Sequence, residues 1–420
     1  MKIHPTKLQG SVKIPPSKSM AHRAIICASL SAGESTITGI DYSEDIIATI
    51  EGMRALGATI VQDGSTLTIC GKNMFADDKP KTVDCNESGS TLRFLVPISL
   101  VKQNNVTFLG KGNLGKRPLT PFYDIFDDQK IKYSYTKNVM DLHVEGQLGA
   151  ATFELEGNIS SQFISGLLFA LPLLEQNSTL IITTPMESKG YIDLTLQMLD
   201  QFGIDIQNNE YQSFFIKGKQ TYKSSNYQVE GDFSQAAFYL VAGAIGNDVT
   251  CTGLNTNSLQ GDKVAIDFLR DMGSVIHIND DRVKIDSARL KGNTIDGAEC
   301  PDIIPVMGVA ASLAKGETEV INAIRLRIKE CDRLMAISTE LNKIGASIVE
   351  NKEGMSVTGV QNFTGGYVSS HKDHRIAMSL AIATTCATSP IIIDYPECVN
   401  KSYPSFWEDY ESLGGKIEWI

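Results

Sequence analysis

One pattern recurs six times along the chain, and it limits the fold more than any other feature. A polar start runs into an Ala-, Leu- or Val-rich helical stretch at Ser17 (SKSMAHRAIICASL), Glu87 (ESGSTLRFLVPISL) and Ser160 (SSQFISGLLFALPLL). It recurs at Asp232 (DFSQAAFYLVAGAI), Asp302 (DIIPVMGVAASLA) and Asp373 (DHRIAMSLAIATT). Successive starts lie 70, 73, 72, 70 and 71 residues apart. After each comes a turn and a Thr- or Ile-rich strand, as at Ser35–Thr38, Ser178–Ile181 and Thr318–Ile321. An amphipathic helix then closes at glycine (Gly57, Gly203, Gly273, Gly345, Gly414) before another strand. Glycine suits that place because it adopts the left-handed conformation of a helix C-cap. The second copy lacks the glycine and closes near Asp128–Ile131.

A period near 70 exceeds that of the common solenoid repeats and suits a compact β-α-β-α-β-β unit. Six such units take up the whole chain, which is too long for a single core, so the copies group three and three. The expected domains are residues 1–15 with 230–420, and residues 16–229. The polar stretch Lys223–Asn226 marks one crossover. Pro15-Pro16 marks the other, if a first strand over Lys2–Lys13 pairs with the second half.

The first repeat start shows what the pattern can do. Pro15 and Pro16 set the entry of the chain, Ser17 or Ser19 can cap the first turn, and Lys18 and Arg23 add two cations. Free N–H groups, the positive end of a helix dipole, hydroxyls and cations together favour an anion. Cations recur at equivalent places: Arg93, Lys372 and Arg375 at buried-helix starts, and Lys116, Arg117, Lys189, Lys329, Arg333 and Lys401 ahead of the amphipathic helices. Cations are disfavoured at helix N-termini, so a negative ligand explains them better than surface solvation does. A helix end contributes roughly 0.3–1 kcal/mol toward an anion. A cation 4 Å from a phosphate oxygen contributes about 4 kcal/mol at an effective dielectric near 20, before desolvation. Helix ends should orient the ligand; Lys and Arg should hold it.

The densest ionisable stretch is Arg325–Arg333 (RLRIKECDR). Arg325, Arg327 and Lys329 share a face if it is a strand, whereas Lys329 and Arg333 share one if it is a helix. Glu330, set among cations, is a candidate proton acceptor, and a structural salt-bridge cluster is the competing reading. The stretch Gly110–Gly115 spells G-x-G-x-x-G. A dinucleotide fingerprint should run straight into a helix, but Lys116-Arg117-Pro118 and Pro121 follow here, so a loop presenting Lys116 and Arg117 fits better.

Other function classes fit poorly. With 49 acidic against 38 basic residues the net charge is −11, which argues against a nucleic-acid binder. The longest apolar run, Ile164–Leu174, is too short to span a bilayer and contains Pro172; no basic leader opens the chain, and a cytoplasmic location is expected. Eight scattered cysteines without a C-x-x-C pair read as buried reduced thiols. His371 and His374 form the one H-x-x-H pair, without a carboxylate arrangement suited to zinc, and no metal site is expected.

The motifs PPSKSMAHRA, ESGSTLR, LGKRPLTP, SSQF, SKGYID, GDFSQAAF, RIKECDR, DHRIAM and NKSYP span nearly the whole chain. In content and order they resemble the 5-enolpyruvylshikimate-3-phosphate synthase family, the 3-phosphoshikimate 1-carboxyvinyltransferases of aromatic amino-acid biosynthesis. The resemblance implies an α/β fold, the inverted α/β barrel-like enolpyruvyl transferase fold, with two domains of three βαβαββ repeats whose buried helices point their N-termini at the cleft between them. It implies transfer of the enolpyruvyl group of phosphoenolpyruvate to the 5-hydroxyl of shikimate-3-phosphate, by addition and elimination of phosphate through a tetrahedral intermediate on the way to chorismate. It also implies a cytoplasmic monomer, with no metal or organic cofactor, no nucleic acid and no membrane partner.

Carried over residue by residue, the resemblance makes Lys18, Ser19, Arg23, Ser160, Ser161, Gln162, Ser188, Tyr191, Asp302 and Lys329 ligands of shikimate-3-phosphate. Lys18, Gly89, Arg117, Gln162, Arg333, Arg375 and Lys401 become ligands of phosphoenolpyruvate, with Arg93 supporting the Gly89 loop. Lys18, Asp302, Lys329, Glu330 and His374 form the catalytic group, His374 neighbouring Glu330. Three positions depart from the family's usual residues: Glu87 for Asn, Arg325 for Asn and Phe94 for Pro.

Two alternatives remain in view. The sister enzyme acting on UDP-N-acetylglucosamine usually carries a reactive cysteine in its Gly-rich loop, where this chain has Asn113, and no cysteine lies between Cys85 and Cys251. The other is a non-catalytic anion-binding protein on the same repeats.

Overall fold

The computed structural model describes residues 1–76 and 79–420. It divides into two compact units, Pro16–Val229 and Met1–Pro15 with Glu230–Ile420.

In the unit Pro16–Val229, the three Ala- and Leu-rich stretches form the core helices Lys18–Leu30, Gly89–Ser99 and Ser161–Ala170. In the other unit they are Phe233–Ala244, Ile304–Ser312 and His374–Thr384. Every residue of Phe233–Ala244 is buried. A helix apolar all round cannot face water on any side, so each lies inside its unit's core. The amphipathic helices are Glu44–Ala55, Thr120–Gln129 and Lys189–Gln201 in one unit. Those of the other are Ala265–Asp271, Arg333–Lys343 and Phe406–Ser412.

Among the described residues each unit carries three four-stranded sheets. In the third copy, Thr152–Leu155 runs parallel to Ser178–Ile182. That strand pairs antiparallel with Ser213–Ile216, which pairs in turn with Ile206–Asn209. At the crossovers the strands are exchanged. The parallel neighbour of Glu34–Thr38 in the first copy is Tyr227–Gln228, from the far end of the same unit. The neighbour of Asp248–Thr252 in the fourth copy is Gln9–Lys13. The stretch Lys2–Lys13 is therefore two strands rather than one. Lys2–His4 pairs with Ile391–Ile393 and Lys416–Glu418, and the break falls at Pro5, which has no N–H to continue a ladder.

Five of the six core helices are capped by their own polar start. Ser17 Oγ accepts from the Met20 amide, Ser88 Oγ from Thr91, Ser160 Oγ from Gln162, and the Asp232 and Asp373 carboxylates from the amides two residues on. The caps are thus Ser17 rather than Ser19, and Ser88 rather than Glu87. The fifth helix differs: Ile303 precedes it without a side-chain cap, so Asp302 lies outside the turn with its carboxylate available for other partners. The closing glycines at 57, 203, 273, 345 and 414 all have positive φ. In the second copy Lys130 takes the left-handed conformation instead, at φ 57°. Among the described residues no helix is long and apolar enough to cross a membrane.

Candidate active site

In the unit Pro16–Val229 the cations gather at the first turns of helices. Lys18 opens the first core helix, and its Nζ lies 2.7 Å from Asp45 Oδ2 on the neighbouring helix Glu44–Ala55. Behind this pair runs a buried chain of hydroxyls. His22 Nδ1 lies 2.7 Å from Thr49 Oγ1, which lies 2.6 Å from Thr91 Oγ1, and Thr91 donates to Ser88 Oγ at 2.8 Å. Three helix starts are thereby held in one register.

Arg23 is 3% exposed, and its guanidinium braces two helices. Nη1 donates to Ser19 O in its own helix at 2.7 Å, Nη2 to Tyr191 O at 2.8 Å and Nε to Thr195 Oγ1 at 2.9 Å. Ser188 sits at the start of the helix carrying Tyr191 and Thr195, buried, with φ 56°. Such strain in a non-glycine residue persists only where the surroundings enforce it.

A second cluster surrounds Gly89. A β-carbon there would lie 2.8 Å from Arg117 Nη1 and 2.9 Å from Arg93 Nη1, so both guanidiniums close on the backbone and any side chain at this position would displace them. Arg93 Nη1 donates to Gln162 Oε1 at 2.8 Å and Nη2 to Pro118 O at 3.2 Å, which ties the Gly89 turn to the Gly-rich loop. Gln162 Nε2 in turn donates to Ser90 Oγ at 2.8 Å. Arg93 also lies over the Phe163 ring. The loop itself makes a short 3-10 turn, Leu114–Lys116, and the helix starts later at Thr120.

In the other unit the geometry is that of an ion network. Arg333, 2% exposed, places Nη1 2.9 Å from Asp302 Oδ1, Nη2 2.7 Å from Glu330 Oε2 and Nε 2.7 Å from Asp373 Oδ2. Lys329 Nζ is 3.5 Å from Asp302 Oδ1, and Arg375 Nη2 is 3.5 Å from Asp302 Oδ2. Arg375 is itself held by Ser234, whose hydroxyl donates to the cap Asp232. Burial pushes the Asp302 carboxyl up, but Lys329, Arg375 and Arg333 outweigh it and hold it well below the usual carboxylate range. Burial lowers the Lys329 ammonium to about 8; Asp302 acts against that, while the Arg333 and Arg325 charges add to it.

The stretch 325–333 is neither a strand nor one helix. Ile324–Ile328 is a 3-10 turn, Lys329 is extended, and the helix begins at Arg333. The segment consequently divides by role. Arg325 Nη2 donates to Ala298 O at 2.5 Å, and Arg327 pairs with Asp332 and Glu350, so these two brace the turn. Lys329, Glu330 and Arg333 face the network. His374 Nδ1 lies 3.7 Å from Asp373 Oδ1, while His371 Nε2 lies 2.8 Å from Glu340 Oε1, so the two histidines turn to different carboxylates. Lys401, 4% exposed, ends the 3-10 turn Pro396–Lys401.

Several of these groups were not singled out from the sequence. Asp45, Ser90 and Ser234 carry no signal of their own in the sequence, and Asp232 and Asp373 stand out there only as repeat starts. Their significance lies in contacts between helices far apart in the chain. Of the three departures, Glu87 turns its carboxylate onto the Gly-rich loop, where a side chain at position 112 would overlap Oε1. Phe94 packs edge-on against His22 and Phe169 beneath the Arg23 guanidinium. Burial pushes the thiols of Cys27, Cys85, Cys251 and Cys300 up, which leaves them unreactive.

Comparison with known proteins gives a consistent picture. The sequence model of the EPSP synthase (3-phosphoshikimate 1-carboxyvinyltransferase) family matches residues 3–410. A 3-phosphoshikimate 1-carboxyvinyltransferase of Clostridium perfringens is 61% identical over 99% of this chain and 98% of its own. One from Clostridioides difficile is 55% identical over 100% and 98%. Among solved structures, EPSP synthase from Acinetobacter baumannii superposes with TM-score 0.79 at 27% identity, covering 98% of this chain and 97% of that one. The enolpyruvyl transferase NikO from Streptomyces tendae, at TM-score 0.80 and 16% identity over 99% and 98%, shares the fold. The chain belongs to the EPSP synthase (3-phosphoshikimate 1-carboxyvinyltransferase) family.

Proposed function

We propose that the basic clusters of the two units serve one reaction, the transfer of an enolpyruvyl group between two phosphorylated substrates. The enzyme moves the enolpyruvyl group of phosphoenolpyruvate onto the 5-hydroxyl of shikimate-3-phosphate and releases phosphate. The hydroxyl attacks C2 of phosphoenolpyruvate as C3 takes up a proton. The tetrahedral intermediate then gives up a proton from C3 and expels phosphate, which restores the carbon–carbon double bond.

In this reading Lys18, Gly89, Arg117, Gln162, Arg333, Arg375 and Lys401 bind phosphoenolpyruvate. Lys18, Ser19, Arg23, Ser160, Ser161, Gln162, Ser188, Tyr191, Asp302 and Lys329 bind shikimate-3-phosphate. Asp302, a weak base because three cations hold its carboxylate ionised, orients the attacking hydroxyl. Lys329, poised near pH 8, is suited to exchange a proton near neutrality, with Lys18, Glu330 and His374 completing the proton-handling group. The observation that carries the reading is the convergence of Lys329, Arg333 and Arg375 on one carboxylate. Glu330, Asp373 and Ser234 hold these cations in place as well, so the positive groups are set in advance for an incoming anion.

The chain acts as a cytoplasmic monomer in this reading. All eight cysteines are free, as suits a reducing compartment, and each unit buries a core of its own. Phosphate release from phosphoenolpyruvate with each acceptor tests the function. Release that requires shikimate-3-phosphate supports it. Release that requires UDP-N-acetylglucosamine, or none with any acceptor, refutes it. Sedimentation at micromolar concentration tests the monomer.

A further inference from the structure

A cavity of about 270 Å³ opens in the unit Pro16–Val229, between the loop that carries Arg117 and the turn Tyr135–Met140. Its composition departs from that of the chain. None of its twelve lining residues is acidic, although the chain carries 49 acids, and three are cations: Lys116, Arg117 and Lys137. Lys116 and Lys137 make no ion pair with a described residue. Thr120 adds a hydroxyl at the first turn of the helix Thr120–Gln129.

The apolar side of the cavity is equally specific. Tyr123 and Tyr135 both line it, and their rings stack within 6° of parallel at 4.7 Å between centroids. Tyr133 lies near parallel to both, 5.1 Å from Tyr123 and 6.4 Å from Tyr135. Phe126, buried in the core, packs against Tyr123 and Tyr133. Tyr135 remains half exposed. The walls are joined by the Gly110 amide, which donates to Met140 O at 3.0 Å.

A platform of tyrosine rings beside Lys116 and Lys137 selects a planar ring that bears negative charge. The volume admits a guest of one or two rings. We propose that this cavity is a second ligand site, one that takes a small aromatic carboxylate with its ring against the tyrosine stack and its carboxylate between Lys116, Lys137 and Arg117. The guest engages Arg117, so it weakens phosphoenolpyruvate binding; this coupling rests on the reading that Arg117 binds phosphoenolpyruvate.

The test uses 2-naphthoate, followed by its fluorescence on titration with the full-length protein in the absence of substrates. Tyr135→Leu and Lys137→Gln are the variants, neither being assigned to the catalytic or substrate-binding set. Each should weaken 2-naphthoate at least about fivefold, as expected for loss of one stacking partner or one cation. Turnover without the ligand should be unchanged, and unfolding temperatures should match wild type. Cyclohexanecarboxylate, with the same charge and no aromatic ring, should displace 2-naphthoate poorly. Wild-type affinity in both variants, or equal displacement by cyclohexanecarboxylate, overturns the proposal. In wild type 2-naphthoate should also raise the KM for phosphoenolpyruvate. 2-Naphthoate binding that both variants weaken but that leaves the wild-type KM unmoved upholds the site and overturns its coupling to phosphoenolpyruvate through Arg117.

Discussion

Lys18 Nζ lies 2.7 Å from Asp45 Oδ2, and the carboxylate is the more deeply buried partner, at 6% side-chain exposure against 17%. The pair holds the Lys18 ammonium at the first turn of a helix whose dipole repels it. Lys18→Met should lower turnover at least about a hundredfold, because a cation assigned to the phosphate is lost. It should also destabilise the protein by about 2 kcal/mol, because Asp45 is left buried without its counter-charge. Adding Asp45→Asn should recover the stability and none of the activity. Thermal unfolding and steady-state turnover of both variants separate the two effects, and wild-type turnover in Lys18→Met removes the residue from the site.

The Lys329 ammonium, lowered to about 8, sets the alkaline limb of activity. As pH rises through 8 in the folded protein the charge disappears, and with it an attraction for anionic substrate. We expect kcat/KM to fall above pH 8. Lys329→Arg, whose guanidinium stays charged, should move that limb upward by more than one pH unit. Stability has the opposite sign. Between pH 8 and the usual lysine pKa the unfolded chain holds more protons than the folded one, so unfolding free energy rises with pH there. A limb unmoved in Lys329→Arg assigns it to another group.

Gly89 admits two guanidiniums that a β-carbon would contact at 2.8 and 2.9 Å. Gly89→Ala should therefore push Arg117 and Arg93 aside by a few tenths of an ångström and raise the KM for phosphoenolpyruvate. We expect roughly a tenfold change, since displaced charge-assisted contacts carry energies of that order. The KM for shikimate-3-phosphate should change less. Equal increases in both would show that the Gly89 turn does not discriminate between the substrates.

The repeat was readable because it rests on local signals: an apolar run long enough to be buried all round, a polar residue just ahead of it, and glycine at the helix close. Lys130 shows the limit of the last signal. A left-handed residue occurs there as in the other copies, but a lysine gives no local sign of it. The carboxylates that partner the cations were less legible. Asp45 lies 27 residues from Lys18, and Asp373 lies 40 from Arg333; each meets its partner only because helices pack together. The stretch 325–333 has no apolar period to choose between strand and helix, and it adopts a 3-10 turn instead. The split at Pro5 could have been read from proline alone.

His22 provides a test of the buried hydroxyl chain that is independent of catalysis. Its ring is 1% exposed, and burial lowers it to about 3; Asp45 acts in the raising direction, while Lys18 and Arg23 add to the lowering. The ring therefore stays neutral when folded and takes up a proton near pH 6.5 when unfolded. Between pH 6.5 and 3 the unfolded chain holds the additional proton, so His22 removes stability as pH falls through that window. His22→Asn should flatten this part of the stability–pH curve, because an amide can hold Thr49 Oγ1 without titrating. At pH 7 the variant should lose about 1–2 kcal/mol for the smaller side chain and the altered hydrogen bond. Its deficit should shrink, and can reverse, toward pH 4. Chemical denaturation of wild type and His22→Asn at pH 4, 5, 6 and 7 measures this directly. A constant difference across those four values would mean that the acid sensitivity of the fold comes from groups other than His22.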